Sequence, residues 1–155
     1  MNGASGVATI RRATPADGEA ARRIVFETLR AYGVEPEPHG HDADVMTFGQ
    51  EPPSIDAFVA DVGGVAVGTV MVAPRDDGSG WLSKFFVDRA HRGRGIGRSL
   101  LGRAVDAARE RGYHRLGLDT RTYFHEAVHL YESTGWKLSP DKPDRACDAF
   151  YYLDL

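Results

Sequence analysis

The segment Arg92-Gly93-Arg94-Gly95-Ile96-Gly97-Arg98 lies between a strand-like run and a well-patterned helix, and it constrains the chain more than any other. Alternate glycines let a backbone curl and approach a ligand closely, with amide N–H groups turned inward. The helix that follows adds its unpaired N-terminal donors and the positive end of its dipole, so the site suits a phosphate group. Arg92, Arg94 and Arg98 add charge at its rim. Glycine-rich turns also precede helices for packing alone, but three glycines interleaved with three arginines favour a ligand. A nucleotide P-loop would need Gly-Lys-Ser/Thr after the glycines, and Ile96-Gly97-Arg98 does not supply it. The dinucleotide fingerprint is a nearer rival, with Gly93-x-Gly95 and an acid, Asp119, about 20 residues on. Against it, Arg98 stands where the third glycine belongs, and Asp88-Arg89-Ala90-His91 separates the strand from the glycines.

The rest of the chain reads as one mixed-sheet α/β domain spanning residues 1–155, with Met1–Gly6 as a disordered tail. Val7–Arg11 predicts a first strand. Thr14-Pro15-Ala16-Asp17 predicts a helix start, with Thr as N-cap, Pro at the first position and an acid at the third. Ala21, Ile24, Val25, Thr28, Leu29 and Tyr32 recur at helical spacing up to Gly33. A loop with one short helix after Asp42 follows. Ala57–Asp61 and Val65–Ala73 predict strands joined by a hairpin at Val62-Gly63-Gly64, and Trp81–Val87 a third. Leu100, Leu101, Ala104, Val105 and Ala108 mark a helix stopping at Gly112. Leu116–Leu118 reads as a buried strand. Ala127, Leu130, Tyr131 and Thr134 mark a helix closed by Gly135, and Trp136–Leu138 and Phe150–Leu153 the last strands.

Composition excludes several classes. The 22 acidic and 19 basic residues give a net charge of −3, no footing for nucleic-acid binding. The single cysteine, Cys147, rules out an intrachain disulfide framework and suits a reducing cytoplasm. No apolar run reaches the roughly 18 residues of a membrane span, and Met1–Gly6 lacks the pattern of a signal peptide. His39-Gly40-His41-Asp42 invites a metal reading, but no further Cys or His cluster completes a ligand set, so no metal is expected.

Val87-Asp88-x-x-x-Arg92-Gly93-x-Gly95-Ile96-Gly97-x-x-Leu100-Leu101 resembles motif A of the GNAT N-acetyltransferase superfamily. Leu118-Asp119-Thr120 and Glu126-Ala127-x-x-Leu130-Tyr131-Glu132-x-x-Gly135-Trp136, at the family's distance downstream, resemble motif B. The resemblance implies a mostly antiparallel sheet with helices on both faces, the acyl-CoA N-acyltransferase fold. It implies transfer of the acetyl group of acetyl-CoA directly to an amine, with no covalent enzyme intermediate. The main chain of Phe85, Phe86 and Val87 would run along the pantetheine arm, and the amides from Arg92 through Gly93, Arg94, Gly95, Ile96 and Gly97 to Arg98 would hold the pyrophosphate. Tyr131 matches the tyrosine that protonates the leaving thiolate, a task suited to a phenol of pKa about 10.

Two departures accompany the resemblance. Relatives carry a glutamate base early on the motif A strand where this chain has Trp81, and an asparagine where it has Phe124. The base is left open among Asp119, Glu126 and His125, and a domain that binds CoA without catalysis stands as the alternative. The acceptor is expected to be a small-molecule or peptide amine, handled by a monomer or homodimer. The loop from Tyr32 to Glu51 holds Glu35, Glu37, Asp42, Asp44 and Glu51 with no Lys or Arg. As one wall of the acceptor site it would favour a cationic amine.

Overall fold

The computed structural model describes residues 7–141 and 147–155. The expected N-terminal tail, Met1–Gly6, lies outside them, as does Pro143 of the last loop. Strand β1 (Thr9–Arg12) leads through a 3₁₀ turn at Pro15–Asp17 into helix α1 (Gly18–Ala31). The Asp17 carboxylate accepts a hydrogen bond from the Thr14 N–H at 2.8 Å and so holds the helix entry. A second 3₁₀ turn, Ala43–Thr47, interrupts the loop before β2 (Asp56–Val62) and β3 (Val65–Pro74). Gly63 and Gly64 join these two strands with φ of 61° and 91°, the left-handed pair that a two-residue hairpin requires. Then follow β4 (Gly80–Val87), α2 (Ile96–Glu110), β5 (Arg115–Thr120), α3 (His125–Ser133), β6 (Lys137–Leu138) and β7 (Ala149–Asp154).

The seven strands form one sheet in the order β1-β2-β3-β4-β5-β7-β6. Every pairing is antiparallel except β4 with β5. Alternation along β2 decides which helix covers which face. Phe58 and Ala60 join Leu100, Leu101, Ala104 and Ala108 of α2, while Ala57 and Val59 join Ala21 of α1 on the opposite face. Leu100, Leu116 and Ala108 are fully enclosed, and burial of each such leucine stabilises the fold by about 1.5–3 kcal/mol. Helix α3 adds Val128, Leu130 and Tyr131 to the α2 side.

Two irregularities in β4 shape the middle of the sheet. The β4–β5 ladder consists of Gly80 opposite Leu116 and Trp81 opposite Gly117, and no further pair. Beyond it the strands diverge, while β5 stays paired to β7 through Thr120. On the other side, Thr69 of β3 faces Phe86 and Met71 faces Ser83. One residue of β3 therefore opposes two of β4, Lys84 and Phe85, which is a β-bulge. Lys84 has φ of 51°, a left-handed conformation uncommon outside glycine. Its carbonyl accepts a hydrogen bond from the Thr69 hydroxyl at 2.7 Å, which pins the bulge. The bulge also shifts the pleat: Leu82 and Phe85 both pack toward α2, and Phe86 turns to the α1 side with Val25, Leu29 and Phe124.

Candidate active site

The divergence of β4 from β5 opens the sheet, and two cavities meet there. The larger, about 480 Å³, runs from Phe85, Phe86 and Val87 of β4 to the first turn of α2, with Thr28 of α1, Tyr32 just after it, and Phe124, His125, Glu126, Ala127 and Leu130 as its other walls. Gly95 caps α2 in a left-handed conformation, φ 79°, and a Cβ built on it would meet no atom within 4 Å. Its backbone thus requires glycine while the space above it stays open. The amides at the start of α2 have no acceptor within the helix, and the dipole's positive end lies there. Arg92, Gly93, Gly95, Ile96, Gly97 and Arg98 line the same cavity, while Arg94, between them in the chain, is exposed. The Arg92 side chain is anchored by donating to the Val87 carbonyl at 3.2 Å and lies 3.7 Å from Glu126.

The smaller cavity, about 90 Å³, lies deeper in the cleft and shares Phe85, Phe86, Phe124 and Ala127 with the larger one. Its walls include His41, Asp42, Lys84, Asp119, Arg121, Tyr131 and Cys147. Tyr131 is 4% exposed, its ring packed on those of Phe85, Trp136 and Tyr151. Burial, and then the nearby charge of Asp119, raise its phenol above the ordinary value. The Cys147 thiol, which the sequence puts in a polar loop, is buried here. Burial first and Asp119 second push it up to about 11, so it stays a neutral thiol.

The structure separates the three candidate bases. Asp119 lines the smaller cavity, whereas His125 and Glu126 line the larger one beside the glycine loop. Trp81 lines neither. It covers the last parallel pair, its ring 3.2 Å from where a Cβ on Gly117 would sit, with the Arg75 guanidinium 3.8 Å from its centroid. Phe124 belongs to an aromatic cluster with Tyr32, Tyr123 and Phe86.

Of the five acids in the loop from Tyr32 to Glu51, only Asp42 lines either cavity. Lys84 is only 10% exposed at its side chain and brings its Nζ to 3.3 Å from Asp44 and 3.7 Å from Asp42. Asp42 also accepts from the Glu37 N–H, Glu51 accepts from the Gly49 N–H, and Glu35 pairs with Arg30. Asp42 and Glu51 thus help to hold the loop through its own backbone. The His39-His41 segment joins no metal set: among the described residues no three His, Cys, Asp or Glu side chains gather as ligands. No helix among them is long and apolar enough to cross a membrane. Sequence reasoning passed over Lys84 and Arg121.

Known proteins match this geometry. The model of the acetyltransferase (GNAT) family matches residues 22–136. The chain is 33% identical over 130 residues to an IAA acetyltransferase of Azospirillum brasilense, covering 83% of each protein. A GNAT-family acetyltransferase from Staphylococcus aureus has a TM-score of 0.82 at 20% identity, over 95% of this chain and 98% of that one. PaiA N-acetyltransferase from Thermoplasma acidophilum, solved in complex with coenzyme A, has a TM-score of 0.78 at 14% identity, over 96% and 99%. At these identities the two solved structures establish the fold.

Proposed function

We propose, from the premise that the chain belongs to the acetyltransferase (GNAT) family, that it transfers the acetyl group of acetyl-CoA to a primary amine. The observation that carries this reading is the continuity of the larger cavity from the left-handed cap of α2 to the unpaired stretch of β4, where the smaller cavity opens. The donors at the start of α2 suit a pyrophosphate, with Arg92 and Arg98 beside them. The main chain of Phe85, Phe86 and Val87 then suits the pantetheine arm, with one N–H placed to steady the thioester oxygen as negative charge develops on it.

The acceptor nitrogen, entering from the smaller cavity, forms the new C–N bond as the C–S bond breaks. Its proton passes to Asp119, the candidate base that lines that cavity. The departing thiolate takes a proton from the Tyr131 hydroxyl, which bulk solvent restores. Asp119 thus fills from β5 the role that relatives give to a carboxylate on β4, and this favours a working enzyme over a domain that only binds CoA. The acceptor is an amine of a small molecule or peptide. The lone thiol, kept neutral by burial, suits a cytoplasmic setting.

Calorimetry with CoA and a thiol-release assay with acetyl-CoA over a panel of amines test the reading. Gly95→Glu should abolish CoA binding while the domain stays folded, because both the left-handed backbone and the added negative charge oppose a pyrophosphate there. Unchanged affinity in that variant would overturn the cofactor assignment.

A further inference from the structure

We propose that Arg121 binds a carboxylate carried by the acceptor, so that the amine acetylated is that of an amino acid. The inference rests on the acetyltransferase reading and adds the class of acceptor to it. Arg121 is 6% exposed, immediately beyond the end of β5, and lines the smaller cavity. Its Nη1 is buried with no hydrogen-bond partner. Other buried ions are satisfied: Asp17 by Arg11, Asp56 by Arg12 and Arg111, Asp42 by Lys84 and the Glu37 N–H. Among the described residues no carboxylate pairs with Arg121.

The Asp148 carboxylate feels the Arg121 charge but does not bond to Nη1. A buried guanidinium N–H left without an acceptor is costly, and the cost is removed when an acceptor anion arrives. The guanidinium's planar fork matches a carboxylate, which it can bind through two parallel hydrogen bonds. The position of the site selects the anion's source. The phosphate-suited donors belong to the α2 end of the larger cavity, whereas Arg121 lies with Asp119 and Tyr131 where the acceptor enters. About 90 Å³ holds a few waters or one small polar head group. The remaining charged walls, Lys84 and Asp42, are committed to each other. Asp119 and Arg121 therefore remain as an opposite pair lining the same cavity. An amino acid presents the matching pair, an ammonium toward Asp119 and a carboxylate toward Arg121.

The experiment compares kcat/KM by thiol release for L-amino acids, their carboxamides and the corresponding decarboxylated amines, in wild type and Arg121→Met. At least one amino acid should exceed its own amide and amine by about 10²-fold, the loss expected when a buried donor is left unpaired. Arg121→Met should erase that preference and leave acetyl-CoA affinity unchanged. It should also melt at the same or a higher temperature, because a buried donor without an acceptor has been removed. Equal rates for amines with and without a carboxylate, no turnover of any amino acid, or a marked fall in melting temperature would each overturn the carboxylate site. Failure of wild type to bind acetyl-CoA would instead overturn the acetyltransferase reading beneath it.

Discussion

At Tyr131 packing and chemistry can be separated with one atom. The ring is enclosed by Phe85, Trp136 and Tyr151, so Tyr131→Phe keeps the packing and removes only the hydroxyl. The expected outcome is turnover lowered by about 10²-fold, with acetyl-CoA affinity and melting temperature unchanged. Wild-type turnover in that variant would mean that the ring only packs. Because burial raises this phenol above its ordinary value, it keeps its proton below pH 10, and no alkaline fall in rate in that range should trace to it. Tyr131 was legible in the sequence because motif B carries it at a fixed spacing from Gly135. Arg121 was not. Its importance lies in a missing partner, and the absence of a partner is a property of the folded surroundings.

Among the elements, β4 carries the most information that periodicity cannot convey. The run from Trp81 to Val87 reads as one strand, and it is one, but a bulge reverses its pleat at Lys84. Nothing in the run's composition marks the bulge, since it is set by the pairing with β3 across the hairpin. A similar limit applies to α2, which was marked from Leu100 although the helix begins four residues earlier at Ile96, on the same buried face. In that first turn Ile96 packs into the core, whereas Gly97 and Arg98 line the larger cavity. Thr69 tests whether the bulge positions the site. It is fully buried and donates its hydroxyl to the Lys84 carbonyl. Thr69→Val keeps the shape but leaves that carbonyl unpaired, at a cost of about 1–2 kcal/mol. Denaturant unfolding should register this loss, and the KM for acetyl-CoA should rise with it as Phe85 and Phe86 shift. A stability loss with KM unchanged would mean that the bulge is only structural.

Across the whole molecule, ion pairs fasten the sheet to its covering elements. Residues far apart in sequence form them. Asp61 pairs with Arg11 across the β1–β2 edge at 2.8 Å. Asp56 of β2, 2% exposed at its side chain, takes Arg111 from the end of α2 and Arg12 from β1. In the fold these acids are counter-charges for arginines on other elements. Strand and helix positions were legible because they depend on local periodicity, whereas the assignment of each charge was not, because it depends on the tertiary arrangement. The consequence for acid stability has a definite sign. Burial alone would raise Asp56, but the bonds from Arg111 and Arg12 outweigh it and hold the carboxyl below its ordinary value. Asp17 is held low as well, chiefly by its bonds from Arg11. Carboxyls depressed in the folded state contribute stability that is present above the unfolded value of about 4. That contribution is lost as pH falls through the lower folded values. Asp56→Asn should therefore cost about 2–3 kcal/mol at pH 7, since two arginines lose their charge partner. Its stability should also fall less steeply than that of wild type between pH 4 and pH 2. Urea unfolding at pH 7, 4, 3 and 2 measures both quantities. Parallel pH profiles for the two proteins would show that Asp56 does not carry this linkage.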